Sequence, residues 1–168
     1  MFNCISMGTN IALYADDTKI WRRTECDQDH IILQNDINAL LKWSKDNKMV
    51  FHPNKCKVLV VTNKYLQYVL PFDRFPYCLD GTYIDYVSSE KDLGVLITSK
   101  LNWGVHSDAL VTKASSRLGL LRRTCHFTKS SDRMILIQSI FEHCYVVWHP
   151  RTTSHPERLD AIQQRAVK

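Results

Sequence analysis

The spacing of apolar residues changes near residue 99, and this change does most to limit the folds that the chain can adopt. Before it, short β-branched or apolar runs alternate with turn-forming residues, which is typical of strands. After Trp103, apolar residues recur every three or four positions, which is typical of helices. The sequence therefore predicts an α+β fold, with a strand-rich part over residues 1–99 and a helical part over residues 100–168.

An aspartate pair separates two of the short runs. Residues 11–14 and 18–21 are apolar or β-branched, and Asp16 and Asp17 between them favour a turn. The sequence therefore predicts a tight β-hairpin that carries two carboxylates at its tip.

A second hairpin is predicted around Asp80-Gly81, because this dipeptide supplies the positive φ angles of a type I′ turn. Two further strands are predicted at residues 58–61, as a strand covered on both faces, and at residues 93–97.

Four helices are predicted, at residues 29–46, 105–123, 130–148 and 154–168. In the first, Leu33, Ile37 and Leu40 should face the core, with Gln34 and Asp36 on the opposite, polar side. In the third, Phe141, Cys144, Val147 and Trp148 should share one buried face with Ile137 and Ile140. Trp43, Trp103 and Trp148 fall at apolar helix positions, where core packing is favoured over base stacking.

Charge is divided unevenly along the chain. Residues 1–99 hold 11 Lys and Arg against 12 Asp and Glu, whereas residues 100–168 hold 11 against 5. The C-terminal part could therefore neutralise phosphates, although a solvated basic helical face explains the same charge equally well.

The chain shows no targeting or membrane-spanning pattern. Its first ten residues contain no basic leader, and no apolar stretch approaches the roughly 20 residues of a membrane-spanning helix. Six cysteines without regular spacing are interpreted as reduced thiols. We therefore expect an intracellular protein that does not associate with membranes.

Tyr14-Ala15-Asp16-Asp17 carries the clearest chemistry in the sequence. Two adjacent carboxylates on a rigid hairpin can hold Mg²⁺ or Mn²⁺ beside a phosphoryl group that is being transferred. Taken alone, the four residues are more simply a hydrophilic turn.

Five ordered segments make the chain resemble the reverse transcriptases of non-long-terminal-repeat retrotransposons. YADDTKIW resembles their catalytic palm motif, and LQNDINALLKWSKDNKMVFHPNKCKVLVVT resembles the palm helix and strand that follow it. YCLDGTYIDYVSSEKDLGVLIT resembles the segment that leads into the primer-grip hairpin. LNWGVHSDALVTKASSRLGLLRR and YVVWHP resemble the helical thumb and the connection beyond it.

The resemblance implies a two-metal reaction in which a primer 3′-hydroxyl attacks the α-phosphate of a deoxynucleotide. Asp16 and Asp17 would then be the catalytic metal ligands, and Lys55 would assist the departing pyrophosphate, although a solvated turn lysine is an equally good interpretation. The implied contacts to RNA template and DNA primer are Tyr14, Lys91, Gly94, Arg117, Arg122 and Arg123.

The family pattern also requires a third metal-binding aspartate and a nucleotide-shaping segment upstream of the Asp pair. None of the 13 residues before Tyr14 is Asp or Glu, and Asp27 and Asp29 are interpreted as surface or helix-capping residues. We therefore expect a fragment that is inactive alone, with the missing polymerase segments and an endonuclease domain located upstream in a longer polyprotein.

Other functions have weaker support. Cys125-His126 and His143-Cys144 lack the usual Cys-x-x-Cys spacing, so no zinc site is predicted. A non-catalytic nucleic-acid-binding module remains the main alternative to a polymerase fragment. An independent metal-dependent hydrolase would need a third ligand that the sequence does not reveal.

Overall fold

Among the described residues, all strands lie between Thr9 and Thr98 and four of the five α-helices follow Trp103, which confirms the predicted α+β class. The structure is a computed structural model that describes residues 5–62, 75–125, 127–148 and 154–167. The chain divides into two compact units, Met1–Val87 and Ser88–Lys168. The predicted functional division near residue 99 remains a prediction.

The first unit contains one long helix and six short strands among its described residues. The helix, α1, spans Asp27–Asp46, and a short 3-10 helix spans Pro53–Lys55. The strands are β1 (Thr9–Tyr14), β2 (Asp17–Arg22), β3 (Lys57–Leu59), β4 (Cys78–Leu79), β5 (Thr82–Tyr83) and β6 (Asp85–Val87). β1 pairs with β2 and β4 with β5 in antiparallel fashion, whereas β3 and β6 are parallel.

Helix α1 buries one apolar face against β4. Ile37 packs with Tyr77 and Leu79 in the core of this unit, and Leu33 and Leu41 lie against the same cluster. This arrangement confirms the predicted apolar side of the helix, whose residues recur at intervals of three and four as a single buried face requires.

The polar side of α1 was predicted wrongly at two positions. Asp36 is only 1% exposed, and its Oδ1 accepts hydrogen bonds from the backbone N–H and hydroxyl of Ser6 at 2.9 and 2.7 Å. Gln34 bonds the backbone of Cys78 with both ends of its amide, at 2.8 Å each. Both side chains have partners far away in sequence, which helical periodicity does not reveal.

The strand predicted at residues 58–61 is shorter and less buried than expected. β3 spans Lys57–Leu59, and Val61 beyond it is 52% exposed. The apolar run at residues 58–61 therefore does not form a strand that is covered on both faces.

The predicted Asp80-Gly81 turn is confirmed. Leu79 pairs with Thr82, and the two residues between them have φ angles of 51° and 78°, both positive as a type I′ turn requires. Lys45 forms an ion pair with Asp80 across 2.6 Å and links the turn to α1.

Replacing Gly81 with Val should reduce the stability of the first unit by about 1–3 kcal/mol, because a β-branched residue is strained at positive φ. A Cβ at Gly81 would meet no atom within 4 Å, so the effect would come from the backbone alone. Thr82→Val, which adds the same side chain at the adjacent exposed strand position, should change stability by less than about 0.5 kcal/mol. Chemical denaturation measures both, and equal stabilities of the two variants would contradict the turn assignment.

The second unit consists of a hairpin followed by helices. The hairpin strands are β7 (Ser89–Asp92) and β8 (Val95–Thr98), and the helices are α2 (Gly104–Thr124), α3 (Ser130–Glu142), α4 (Tyr145–Trp148) and α5 (Ser154–Val167). The core is formed by Leu110, Ala114, Leu118, Ile137, Phe141, Trp148, Leu159, Ile162 and Ala166. Trp148 is fully buried and Trp103 packs against this core, as predicted.

Two predictions in this unit require correction. Leu93 and Gly94 form the turn between β7 and β8, with φ angles of 47° and 90°, and are not part of a strand. The helix predicted at residues 130–148 breaks at His143 and Cys144, where Cys144 has a φ of 52°. Cys144 and Val147 are consequently exposed instead of sharing the buried face of Phe141 and Trp148.

No helix in the described ranges is long and apolar enough to cross a membrane. The five cysteines among these residues are free thiols.

Candidate functional site

The aspartate pair lies at the tip of the β1–β2 hairpin, as predicted. The strands pair from Thr9 opposite Arg22 to Tyr14 opposite Asp17, which leaves Ala15 and Asp16 as a two-residue turn. Ala15 has a φ of 52°, and a positive φ at the first central residue is typical of a type II′ hairpin turn.

Both carboxylates are accessible. Asp16 and Asp17 are exposed, and Tyr14 beside them is 66% exposed. No hydrogen bond or ion pair within the described ranges engages either carboxylate. Their oxygen atoms are therefore open to a ligand from solution.

Carboxylate oxygens are the ligands that Mg²⁺ and Mn²⁺ prefer, so the chemistry of this pair suits such a cation. No group of three or more His, Cys, Asp or Glu residues that could hold a metal ion occurs in the described part of the chain. The pair could thus supply part of a coordination shell, with water, substrate or another polypeptide segment supplying the rest.

The open end of the hairpin is fixed to the start of α1 by Arg22. The Arg22 guanidinium donates Nε and Nη2 to Asp29 Oδ1 at 3.3 and 3.2 Å, and Nη1 to the Met7 carbonyl at 2.9 Å and the Thr9 hydroxyl at 3.1 Å. Four donor contacts from one planar group restrict how the hairpin can pivot.

Asp29 completes this anchor from the third position of α1. Its Oδ2 accepts the backbone N–H groups of Glu25 and Cys26 at 3.0 and 3.3 Å. Hydrogen bonds from the Glu25 backbone and the Cys26 thiol, and to a lesser extent from Arg22 and the Cys26 backbone, lower the pKa of Asp29 to about 2, although burial opposes them. The N-cap predicted at Asp27 or Asp29 is wrong, because Cys26 occupies the N-cap position; Asp29 instead caps α1 from its third residue by accepting the Cys26 backbone N–H. Sequence reasoning missed its link to Arg22.

Lys55 lies at the end of the short 3-10 helix and is exposed. Its backbone N–H bonds the carbonyl of His52 at 2.9 Å. Among the residues described, no bond joins Lys55 to Asp16 or Asp17, so its proposed role with pyrophosphate remains a prediction.

Lys91 and Gly94 lie in the β7–β8 hairpin. Lys91 is exposed and pairs with Leu96 across the strands. A Cβ at Gly94 would approach His143 Nε2 to 2.9 Å, which is closer than real Cβ atoms come to another atom. Gly94 therefore has a structural reason to be glycine, independent of the predicted contact to nucleic acid.

The three predicted thumb arginines are all exposed on α2 but do not share one face. At about 100° per residue, Arg117, Arg122 and Arg123 point in directions roughly 100–140° apart. Arg122 also donates a hydrogen bond to the carbonyl of Arg165 near the end of α5. Arg117 and Arg123 are thus the better candidates for phosphate contacts.

Of the two Cys-His pairs, His143-Cys144 lies wholly within the described residues. His126, considered together with Cys125, lies outside the described residues. His143 Nε2 lies 2.9 Å from the Leu93 carbonyl and 3.6 Å from Cys144 Sγ. The carbonyl contact gives His143 a packing role between α3 and the β7–β8 turn.

The chain has a distant similarity to a transposon protein. The chain is 25% identical over 167 residues to a Drosophila melanogaster protein described as "Probable RNA-directed DNA polymerase from transposon BS". The alignment covers 94% of this chain and 18% of that protein, so the chain spans less than a fifth of its relative. No protein-family model matches the chain, and no solved structure does.

Proposed function

We propose that the chain is a fragment of the RNA-directed DNA polymerase of a non-long-terminal-repeat retrotransposon, with Asp16 and Asp17 as its metal-binding pair. One observation carries the proposal: two exposed adjacent carboxylates lie at the tip of a short hairpin whose base is anchored to α1. The distant similarity to a transposon polymerase supports it.

In this proposal the residues of the chain bind the metal ions and orient the end of the primer. Asp16 and Asp17 hold Mg²⁺ or Mn²⁺, and Tyr14 packs beside the end of the DNA primer. When bound by this pair, the cations would supply charge stabilisation for attack of a primer 3′-hydroxyl on the α-phosphate of a deoxynucleotide, with pyrophosphate as the leaving group. Lys55 assists the leaving group from the turn before β3.

The activity requires ligands that these residues do not supply. Residues 1–13 contain no Asp or Glu, and a third metal ligand beside the pair is absent from the described ranges. We propose that upstream polymerase segments of an intracellular polyprotein, which also carries an endonuclease, provide the third carboxylate. Two carboxylates alone would bind Mg²⁺ weakly.

Duplex binding tests the thumb part of the proposal. The chain should bind a primer–template duplex with little sequence preference, and its affinity should fall steeply with salt because bound counterions are released. Arg117→Ala combined with Arg123→Ala should reduce the slope of log affinity against log salt by about two units, since each phosphate contact contributes roughly 0.9.

A matched control removes two cations that are already engaged in ion pairs. Lys57 pairs with Asp85 and Arg158 with Asp108, so Lys57→Ala combined with Arg158→Ala changes the net charge equally. This control should leave most of the salt dependence in place. Equal effects of the two double variants in a fluorescence-anisotropy titration would overturn the assignment of Arg117 and Arg123.

A non-catalytic nucleic-acid-binding module is the alternative function. The 11 Lys and Arg against 5 Asp and Glu in residues 100–168 favour it independently of the aspartate pair. The two functions differ in whether Asp16 and Asp17 matter, because a binding module needs neither carboxylate.

A further inference from the structure

His106 is a buried histidine in the first turn of α2. It is 2% exposed, and its ring meets the indole of the fully buried Trp148 edge-on, with the ring centres 5.2 Å apart. The core of the second unit thus contains a titratable group.

The hydrogen bond of His106 identifies its protonation state. Nδ1 accepts the backbone N–H of Leu96 at 3.2 Å, so Nδ1 carries no proton and the neutral ring is protonated at Nε2. Nε2 is buried and has no hydrogen-bond partner among the described residues. The neutral ring thus joins α2 to β8 through a single bond, which we call the His106–Leu96 contact.

Within the described residues, His106 has no ion-pair partner and no hydrogen bond to a carboxylate. Strand β8 contains no titratable side chain, and α4 contains only Tyr145, which packs edge-on against Trp148. Asp108, two residues along α2, is paired with Arg158 of α5. His143, at the junction of α3 and α4, repels a positive charge on the ring, and burial together with this repulsion lowers the pKa of His106.

We propose that the His106–Leu96 contact is acid-sensitive and that protonation of His106 releases the β7–β8 hairpin from α2. A proton on Nδ1 would face the Leu96 N–H, so two donors would meet and the bond would be lost. The charged ring would also be buried without a partner, which is unfavourable. Opening of the hairpin would separate the two donors and expose the charged ring to water.

His143 provides a contrast within the same unit. Its Nε2 lies 2.9 Å from the carbonyl of Leu93, and a carbonyl only accepts, so Nε2 already carries a proton. Protonation of its other ring nitrogen leaves this bond in place. Of these two histidines, only His106 therefore loses its bond to the hairpin on protonation.

The sign of the effect follows from the direction of the pKa shift. A histidine whose pKa in the folded state lies below its ordinary value of 6.5 contributes stability that is complete above that value. This contribution is lost as the pH falls below 6.5 towards the folded-state pKa. The hairpin should therefore open more often in mildly acidic solution.

Hydrogen exchange of backbone amides tests the proposal on the whole chain. After correction for intrinsic exchange, protection of the Leu96 amide should fall severalfold between pH 7.5 and 5.5, with about tenfold as the most that one histidine can contribute over this range. His106→Asn places an acceptor oxygen near the position of Nδ1 but does not titrate, and it should abolish this pH dependence. His143→Gln keeps a donor near the position of Nε2 and should retain it.

The histidine titration itself keeps the proposal testable if His106→Asn does not fold. In the unaltered chain, the NMR midpoint of the His106 ring should lie below 6.5, and the Leu96 amide shift should follow the same midpoint. A His106 midpoint at or above 6.5 would overturn the proposal, as would a Leu96 amide that does not respond. Unchanged pH dependence in a folded His106→Asn variant would overturn it equally.

Discussion

Replacing Gly94 with Ala should lower the stability of residues 88–168 by about 2–4 kcal/mol. Gly94 has a φ of 90°, where a side chain is strained, and a Cβ would lie 2.9 Å from His143 Nε2. The imidazole would have to move, and it would then lose its bond to the Leu93 carbonyl. Backbone strain and the lost bond act together, which makes the effect large for one methyl group.

Two comparisons separate these causes. Gly81→Ala has a similar φ of 78° but open space around the new Cβ, so it should cost only about 1–2 kcal/mol of backbone strain. His143→Ala should cost less in the Gly94→Ala background than alone, because the imidazole has already been displaced. Hydrogen exchange followed by mass spectrometry measures residues 88–168 separately from the first unit. Equal losses for Gly94→Ala and Gly81→Ala would contradict the close contact with His143.

Features encoded by adjacent residues could be predicted from the sequence. The turns at Asp16 and at Asp80-Gly81 depend on residues whose backbone preferences act locally, and both hairpins form where expected. The apolar side of α1 follows equally from residue spacing. These preferences need no knowledge of distant partners.

Features that depend on distant contacts could not be predicted. Helix α3 ends at Glu142, where His143 contacts the Leu93 carbonyl and Trp148 donates its indole N–H to the His143 carbonyl, 2.8 Å away. The apolar periodicity continues through this break, so it predicted one long helix. Burial of Asp36 depends in the same way on Ser6, thirty residues earlier.

In the candidate site, too, features set by adjacent residues could be predicted and features set by distant contacts could not. The position of Asp16 and Asp17 on a hairpin tip followed from their neighbours in sequence. The anchoring of that hairpin by Arg22 and Asp29 did not, because a charged pair seven residues apart has many alternative partners in a sequence alone. Roles for Lys55, Lys91 and Gly94 were implied by resemblance and remain predictions.

Incorporation of deoxynucleotides on a primed RNA template should require Asp16 and more polypeptide than these residues provide. The chain alone should extend no primer, because converging carboxylates are needed to hold two cations beside a polyanionic substrate. An extended polypeptide that adds the proposed upstream polymerase segments, with the third metal-binding aspartate and the nucleotide-shaping segment, should extend the primer. In it, Asp16→Asn should reduce incorporation by about a thousandfold or more, since metal ions contribute several kcal/mol to such transition states.

A matched carboxylate change controls for charge and folding. Asp27 is exposed in the first turn of α1, and Asp27→Asn in the same extended polypeptide should leave incorporation unchanged. Duplex binding should be nearly equal in the Asp16→Asn and Asp27→Asn variants, because neither residue lies in the basic helical part. Weaker duplex binding by the Asp16→Asn variant than by the Asp27→Asn variant would show that Asp16 contributes to substrate affinity and not only to metal binding.

Primer extension with magnesium, comparing the chain, the extended polypeptide and its Asp16→Asn variant, tests most directly whether Asp16 and Asp17 are the metal-binding pair of a polymerase. The expected result is extension by the extended polypeptide only. Robust extension by the chain alone would contradict the need for further metal ligands, and full activity of the Asp16→Asn variant would contradict the metal site itself.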